Sequence, residues 1–233
     1  MTAQTTLVNA RTTRRLAAVL MAGAAVLAIA GFTALGSVFD YPQILKAPTA
    51  DILARYRAHQ GAVTGWFAVL VVGAALLAPV GVLLGRIGAA RLGRWTAGAG
   101  IAAAAVQVAG LSRWVLFVPG ISADAADPAR TAGAFRTFER LHTWLGEIVG
   151  ETIGYALTAA FTVLVVRAVT RAVAPRWMSY LGYLSAALIA TGVLIPLGLA
   201  AAGLSNFAGY VAWCLWLIAM SVFLWRTPPT VQP

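Results

Sequence analysis

Acid is scarce in this chain. Its 233 residues hold seven Asp and Glu against 17 Lys and Arg, and charged residues of both signs make up only 10%. A soluble domain carries about 25%, so the polar surface that such a domain needs is missing. One cysteine, Cys214, excludes an intrachain disulfide and cannot make a cysteine-based metal site alone. It lies in an apolar run, which assigns it to helix packing. Signatures of catalysis are missing as well: no HExxH, no GxSxG, no phosphate-cradling glycine loop and no activated-cysteine pattern. No catalytic residue and no cofactor is expected, and the sequence points away from an enzyme.

Hydrophobic residues, by contrast, reach 61%. Apolar runs long enough to cross a bilayer recur, and no long polar stretch separates them. The expectation is an all-α polytopic membrane protein, a bundle of six transmembrane helices. The spans read as about 16–38, 61–84, 95–119, 144–169, 178–202 and 207–225, within a membrane domain of 16–226. A cytoplasmic N-terminal tail, 1–15, with its first ten residues disordered, and a C-terminal tail, 227–233, flank it. Arginines before the first run, with Ala34-Leu35-Gly36 behind it, also fit a secretory signal peptide. The run exceeds a usual signal core, so a retained helix is expected. Ala50 to His59 reads as a short amphipathic helix burying Ile52, Leu53 and Tyr56. Asp127 and Pro128 read as the start of another helix, running without interruption into the fourth span. Pro196 is expected to bend the fifth.

Net charge is +10, but the basic residues come in short clusters between apolar runs, which argues for loops and against nucleic acid. With six spans, the N-terminal segment, the second and fourth loops and the C-terminus share a side. That side holds Arg11, Arg14, Arg15, Arg86, Arg91, Arg94, Arg167, Arg171, Arg176 and Arg226, and no acid. All seven acids lie on the other side or in the helices near it. Basic loops stay in the cytoplasm, which makes both termini cytoplasmic and the protein a plasma-membrane one. Arginine supplies 16 of the 17 basic residues (all but Lys46), in keeping with a GC-rich bacterium. Trp95, Trp177 and Trp225 fit the cytoplasmic rim of an aromatic belt, and Trp66, Trp114 and Trp144 the outer one.

The stretch Gly146 to Tyr155 breaks the apolar pattern with Glu147 and Glu151. A charge at the centre of a bilayer helix costs about 2.5–3.5 kcal/mol on insertion scales. Spacing of four puts both carboxylates on one helix face. Arg136, Arg140, Thr143, Glu147, Glu151, Tyr155, Thr158 and Thr162 continue that face, and Gly146, Gly150 and Gly154 form an adjacent stripe for close helix packing. Arg113, on the third span, is expected to pair with Glu151 or Glu147. The candidate polar site is therefore Glu147, Glu151, Arg113, Arg140 and Tyr155, open toward the outer side, for an unidentified ion or small molecule. Alternatives are a structural ion pair with no ligand, or Arg113 snorkelling outward beside Trp114 at the interface. His59 and His142, with Asp40 or Glu139 nearby, are candidate metal ligands, though at no recognised spacing. The Gly61-x-x-x-Gly65 and Gly81-x-x-x-Gly85 motifs predict close packing within the chain or between copies, and so a possible homodimer.

Three segments carry a resemblance: Phe39-Asp40-Tyr41-Pro42-Gln43-Ile44-Leu45, Gly110-Leu111-Ser112-Arg113-Trp114-Val115 and Gly150-Glu151-Thr152-Ile153-Gly154-Tyr155. Together they resemble a bacterial family of small integral membrane proteins described as a domain of unknown function. In that family the glutamate of the Gly-Glu pair is often followed by histidine; here Thr152 stands there, so no histidine-dependent role carries over. The resemblance implies a fold and a topology but no activity. Three functions stay open: a structural or ligand-binding membrane protein, a small proton- or cation-coupled transporter using Glu151, and a membrane enzyme acting on a lipid or quinone.

Overall fold

The computed structural model describes residues 2–228, without the side chains of residues 2–8 and 200. The chain is 90% helical, and among the described residues there is no strand. Six helical stretches are long and apolar enough to cross a membrane: Asn9–Phe39, Gln60–Ile87, Ala90–Asp124, Thr131–Val173, Arg176–Leu197 and Ala201–Arg226. The helices are α1 (Thr2–Phe39), α2 (Thr49–Ala58), α3 (Gln60–Ala75), α4 (Leu77–Ile87), α5 (Ala90–Leu116), α6 (Val118–Asp124), α7 (Thr131–Leu141), α8 (Gly154–Val165), α9 (Arg171–Val173), α10 (Arg176–Ala190) and α11 (Ala200–Arg226). Residues 2–10, expected to be disordered, continue α1. Residues 229–233 of the expected tail lie outside the described residues.

Interior prolines set the joints. A proline offers no N–H to the carbonyl four residues back and crowds it. Pro79 and Pro119 accordingly follow the breaks at Leu76 (α3/α4) and Phe117 (α5/α6). Pro196 does more than bend the fifth span. Its last seven residues, Thr191–Leu197, wind into a 3-10 helix, and Gly198 turns the chain at φ 75°. The sixth helix therefore starts at Ala200, earlier than the expected 207.

Two apolar cores result. The first, toward the chain ends, gathers Met21, Val80, Leu84, Phe161, Met178 and Trp216. The second holds Phe39, Leu53, Tyr56, Phe67, Trp114 and Phe138, roofed by α2, α6 and α7. The fourth stretch has 43 residues, about twice the roughly 20 that a hydrocarbon core of about 30 Å needs. Its first segment, α7, packs on α2 and α6 as a cap. The amphipathic α2 buries Ile52, Leu53 and Tyr56 as its spacing required. Asp127, however, does not cap α7: its carboxylate accepts from the Ala129 N–H at 3.0 Å and from Arg130 at 2.9 Å in a turn, and the helix starts at Thr131. Trp114 also departs from expectation. It is fully buried, stacked on Phe67 at 4.9 Å, and belongs to the core and not to a belt.

Candidate functional site: a polar layer between two cores

Along α5, Ala103 and Ala104 belong to the first core and Trp114 to the second. Gln107 and Arg113 lie between. The fourth span repeats this order, with Phe138 in the upper core, Phe161 in the lower, and Glu147, Glu151 and Tyr155 between.

Here the fourth span is not α-helical. His142–Ile153, twelve residues, is a π-helix, whose hydrogen bonds reach i to i+5. Such windings are rare and cluster at functional sites. The sequence explains what the winding achieves. Ala134, Phe138, His142, Gly146, Gly150, Gly154, Thr158 and Thr162 recur every four residues, and all are buried or partly buried. In a straight α-helix each four-residue step overshoots a full turn by about 40°, so such a row would spiral off its face. The wider π turn falls short of a full circle over the same step, and the two drifts offset each other. One face thus stays aimed inward along the whole span.

That face lets backbones meet. A Cβ on Gly110 would sit 2.6 Å from the Gly150 Cα. One turn earlier, a Cβ on Gly146 would sit 2.7 Å from Nη2 of Arg113, so the missing side chain is the space that the guanidinium fills. Arg113 is 3% exposed, which rules out snorkelling. Its Nη1 donates to the Gly110 carbonyl at 2.5 Å, and its Cζ lies 5.3 Å from the Trp114 ring centre. The expected ion pair is not closed. Among the described residues no carboxylate approaches Arg113 within 4.0 Å, although the charges of Glu151 and Glu147 both act on it. Three buried nitrogens there lack a hydrogen-bond partner: Arg113 Nε, Trp114 Nε1 and His142 Nδ1.

Glu151 is half-buried, and its carboxylate faces Arg113, Tyr155 and Tyr41 electrostatically. Tyr41, in the connection after α1, is not among the candidate site residues, although it lies in the first of the three segments that carry the resemblance. Burial pushes its phenol well above the ordinary range; the Glu151 charge adds to this and that of Arg113 opposes it. Tyr56 is pushed up by burial too, with the hydrogen bond to Thr64 pulling the other way, and its hydroxyl meets the Trp114 carbonyl at 3.1 Å. Glu147 points outward, its side chain 49% exposed, with His142 Nε2 at 3.7 Å. Arg140 is exposed and stands apart from the layer. Tyr155 lies inside, 5.8 Å from the Tyr210 ring and against Gly192 of the 3-10 segment.

A family model for a domain of unknown function (DUF4386) matches residues 16–221. The chain belongs to the DUF4386 family. No curated protein and no solved structure matches it. Within this DUF4386 chain the three segments that carried the resemblance converge: Tyr41, Arg113 and Glu151 come one from each.

Three other side chains near the layer donate hydrogen bonds. Gln107 donates to Thr158 at 2.7 Å, Trp213 to Thr162 at 2.8 Å, and Asn206 to the Ile189 carbonyl at 2.8 Å. A histidine metal site does not form. His59 is exposed, His142 stacks on Phe138 at 5.6 Å, and no group of three or more His, Cys, Asp or Glu gathers among the described residues. Gly61 and Gly65 face open space, whereas Gly81 packs on Gly100.

Proposed function

We propose that this multi-pass membrane protein binds a small polar ligand in the layer between its cores. An acceptor group of the ligand meets Arg113 Nε and Trp114 Nε1, and its other end faces Glu151. One observation carries the reading: a guanidinium withdrawn almost wholly from solvent keeps a free donor while its nearest acids stand off. A structural lock would close that pair, because a buried charge repays its desolvation only with tight geometry and satisfied hydrogen bonds. Orientation belongs to the same proposal. The start of the first span and the end of the last lie together, Arg14 donating to the Thr227 and Pro228 carbonyls at 3.3 and 3.1 Å. The acid-free basic surface at that end supports a cytoplasmic position, with the polar layer toward the outside of a bacterial plasma membrane.

The test replaces Glu151 by Cys in a Cys214→Ser background and adds membrane-impermeant thiol reagents to intact cells. The proposal expects modification from outside, faster with an anionic reagent than a cationic one, and slower once Arg113→Met removes the guanidinium. Modification only after denaturation refutes the site; modification only from the cytoplasmic face refutes the orientation alone.

Transport is the second reading, favoured by the packing of the π segment against the 3-10 segment of the fifth span. Discontinuous helices of this kind frame the sites of many transporters. On this reading Glu151→Gln stops proton movement in dye-loaded proteoliposomes while the protein still folds.

A further inference from the structure

Away from the polar layer, α1 and α11 leave a groove of about 320 Å³ between them, where the first span begins and the last one ends. Its walls are apolar or small: Ala18 and Ala22 on one side, Val222 and Trp225 on the other. Its mouth is basic. Arg226 lines it, and Arg15 holds its guanidinium 4.9 Å from the Trp225 ring centre. Both arginines are exposed, and among the described residues neither has a carboxylate within 4.0 Å. Nor can local acid neutralise them, since α1 and α11 contain no Asp or Glu. Arg14, the next guanidinium, is occupied by the carbonyls of Thr227 and Pro228.

We infer that this groove is a site for an anionic phospholipid, one acyl chain lying along Ala18, Ala22 and Val222 and the phosphate held between Arg15 and Arg226. Charge selects the occupant. A zwitterionic lipid such as phosphatidylcholine fills the apolar channel equally well and also carries a phosphate, but its trimethylammonium cancels that charge and sits beside two guanidinium groups, whereas an anionic head group brings a net negative charge to both. Basic pockets between membrane helices hold anionic head groups in this way. Trp225, already stacked with Arg15, sits at the depth where the head group meets the chain.

Delipidated protein is titrated with phosphatidylglycerol and, separately, phosphatidylcholine of the same chains, and retained lipid is counted by native mass spectrometry. One arginine near a membrane surface is worth a factor of about 5 in affinity for anionic lipid, and two about 30. Wild-type protein is expected to keep one phosphatidylglycerol about 30-fold more tightly than phosphatidylcholine. The double variant Arg15→Gln/Arg226→Gln is expected to lose that preference while Arg86→Gln/Arg91→Gln, with the same change in net charge, retains it. Ala22→Phe, which fills the channel, is expected to lower retention of both lipids. Equal retention of the two lipids by wild-type protein overturns the inference. So does an equal loss in both arginine pairs, which would reduce the effect to general surface charge.

Discussion

Two glycines on either side of the polar layer offer a sharp comparison, because an added methyl group meets almost the same crowding at each and a different kind of atom. On Gly110 it would lie 2.6 Å from the Cα of Gly150; on Gly146, 2.7 Å from Nη2 of Arg113. Ordinary contact begins at 3.4 Å, so the neighbour must retreat by about 0.8 Å or 0.7 Å respectively. In Gly110→Ala the neighbour is backbone, and two helices must separate. Overpacking of this kind costs about 1–3 kcal/mol, a fall of about 2–12 °C in melting temperature for a chain of this size. In Gly146→Ala it is the tip of a flexible side chain, which can swing. Replacing a helical glycine by alanine also gains about 0.5–1 kcal/mol, so the net change is expected near zero. Gly154→Ala meets nothing closer than Gln107 Cγ at 3.5 Å and should stabilise. Thermal unfolding in detergent, followed by tryptophan fluorescence, ranks the three. The same Gly146→Ala change moves the guanidinium, so it should alter thiol modification at Glu151→Cys although the melting temperature stays put. Equal destabilisation by Gly110→Ala and Gly146→Ala would refute the placement of Arg113.

Trp114→Phe should leave stability within about 1 kcal/mol, since the ring still stacks on Phe67 and the lost N–H has no partner, yet lower ligand affinity; unfolding curves and the Glu151→Cys modification assay read the two effects. Asn206→Leu should cost about 0.5–1.5 kcal/mol, because it removes one of two donors to the Ile189 carbonyl, the Thr191 N–H being the other, measured by the same unfolding. The Asp127 carboxyl is held below the ordinary range by the Ala129 N–H and by Arg130. Its contribution is therefore complete above the unfolded value of 3.8 and is lost as pH falls through the lower native one. Hydrogen exchange at the Ala129 amide should quicken only below that value, and Asp127→Asn should remove the dependence.

Much of this architecture could be read from residues alone. The six apolar runs gave the spans, and Ile52, Leu53 and Tyr56 gave the cap helix its buried face. Arg113 and Glu151 stood out because charge is costly in hydrocarbon, and they do share one layer. Their separation was not legible, since it depends on how the fourth span winds. A clue was present in the strict four-residue row from Gly146 to Thr162, which no straight α-helix can keep on one side. A tryptophan near a span end suggests an interface; only the roof of α2, α6 and α7 makes Trp114 interior. Pro196 suggested a bend, but with Gly198 two residues later it ended the span.

The contact between α1 and α11 bears on the order of assembly. During synthesis the first span enters the membrane while its eventual neighbour is still about 160 residues away, at about 5–20 residues per second. Until the sixth arrives, the flank bearing Ala18 and Ala22 faces lipid or a chaperone. Completion of the ring is thus a late event, and a nascent chain stalled before the last span would present an open seam to whatever surveys the membrane for unfinished proteins.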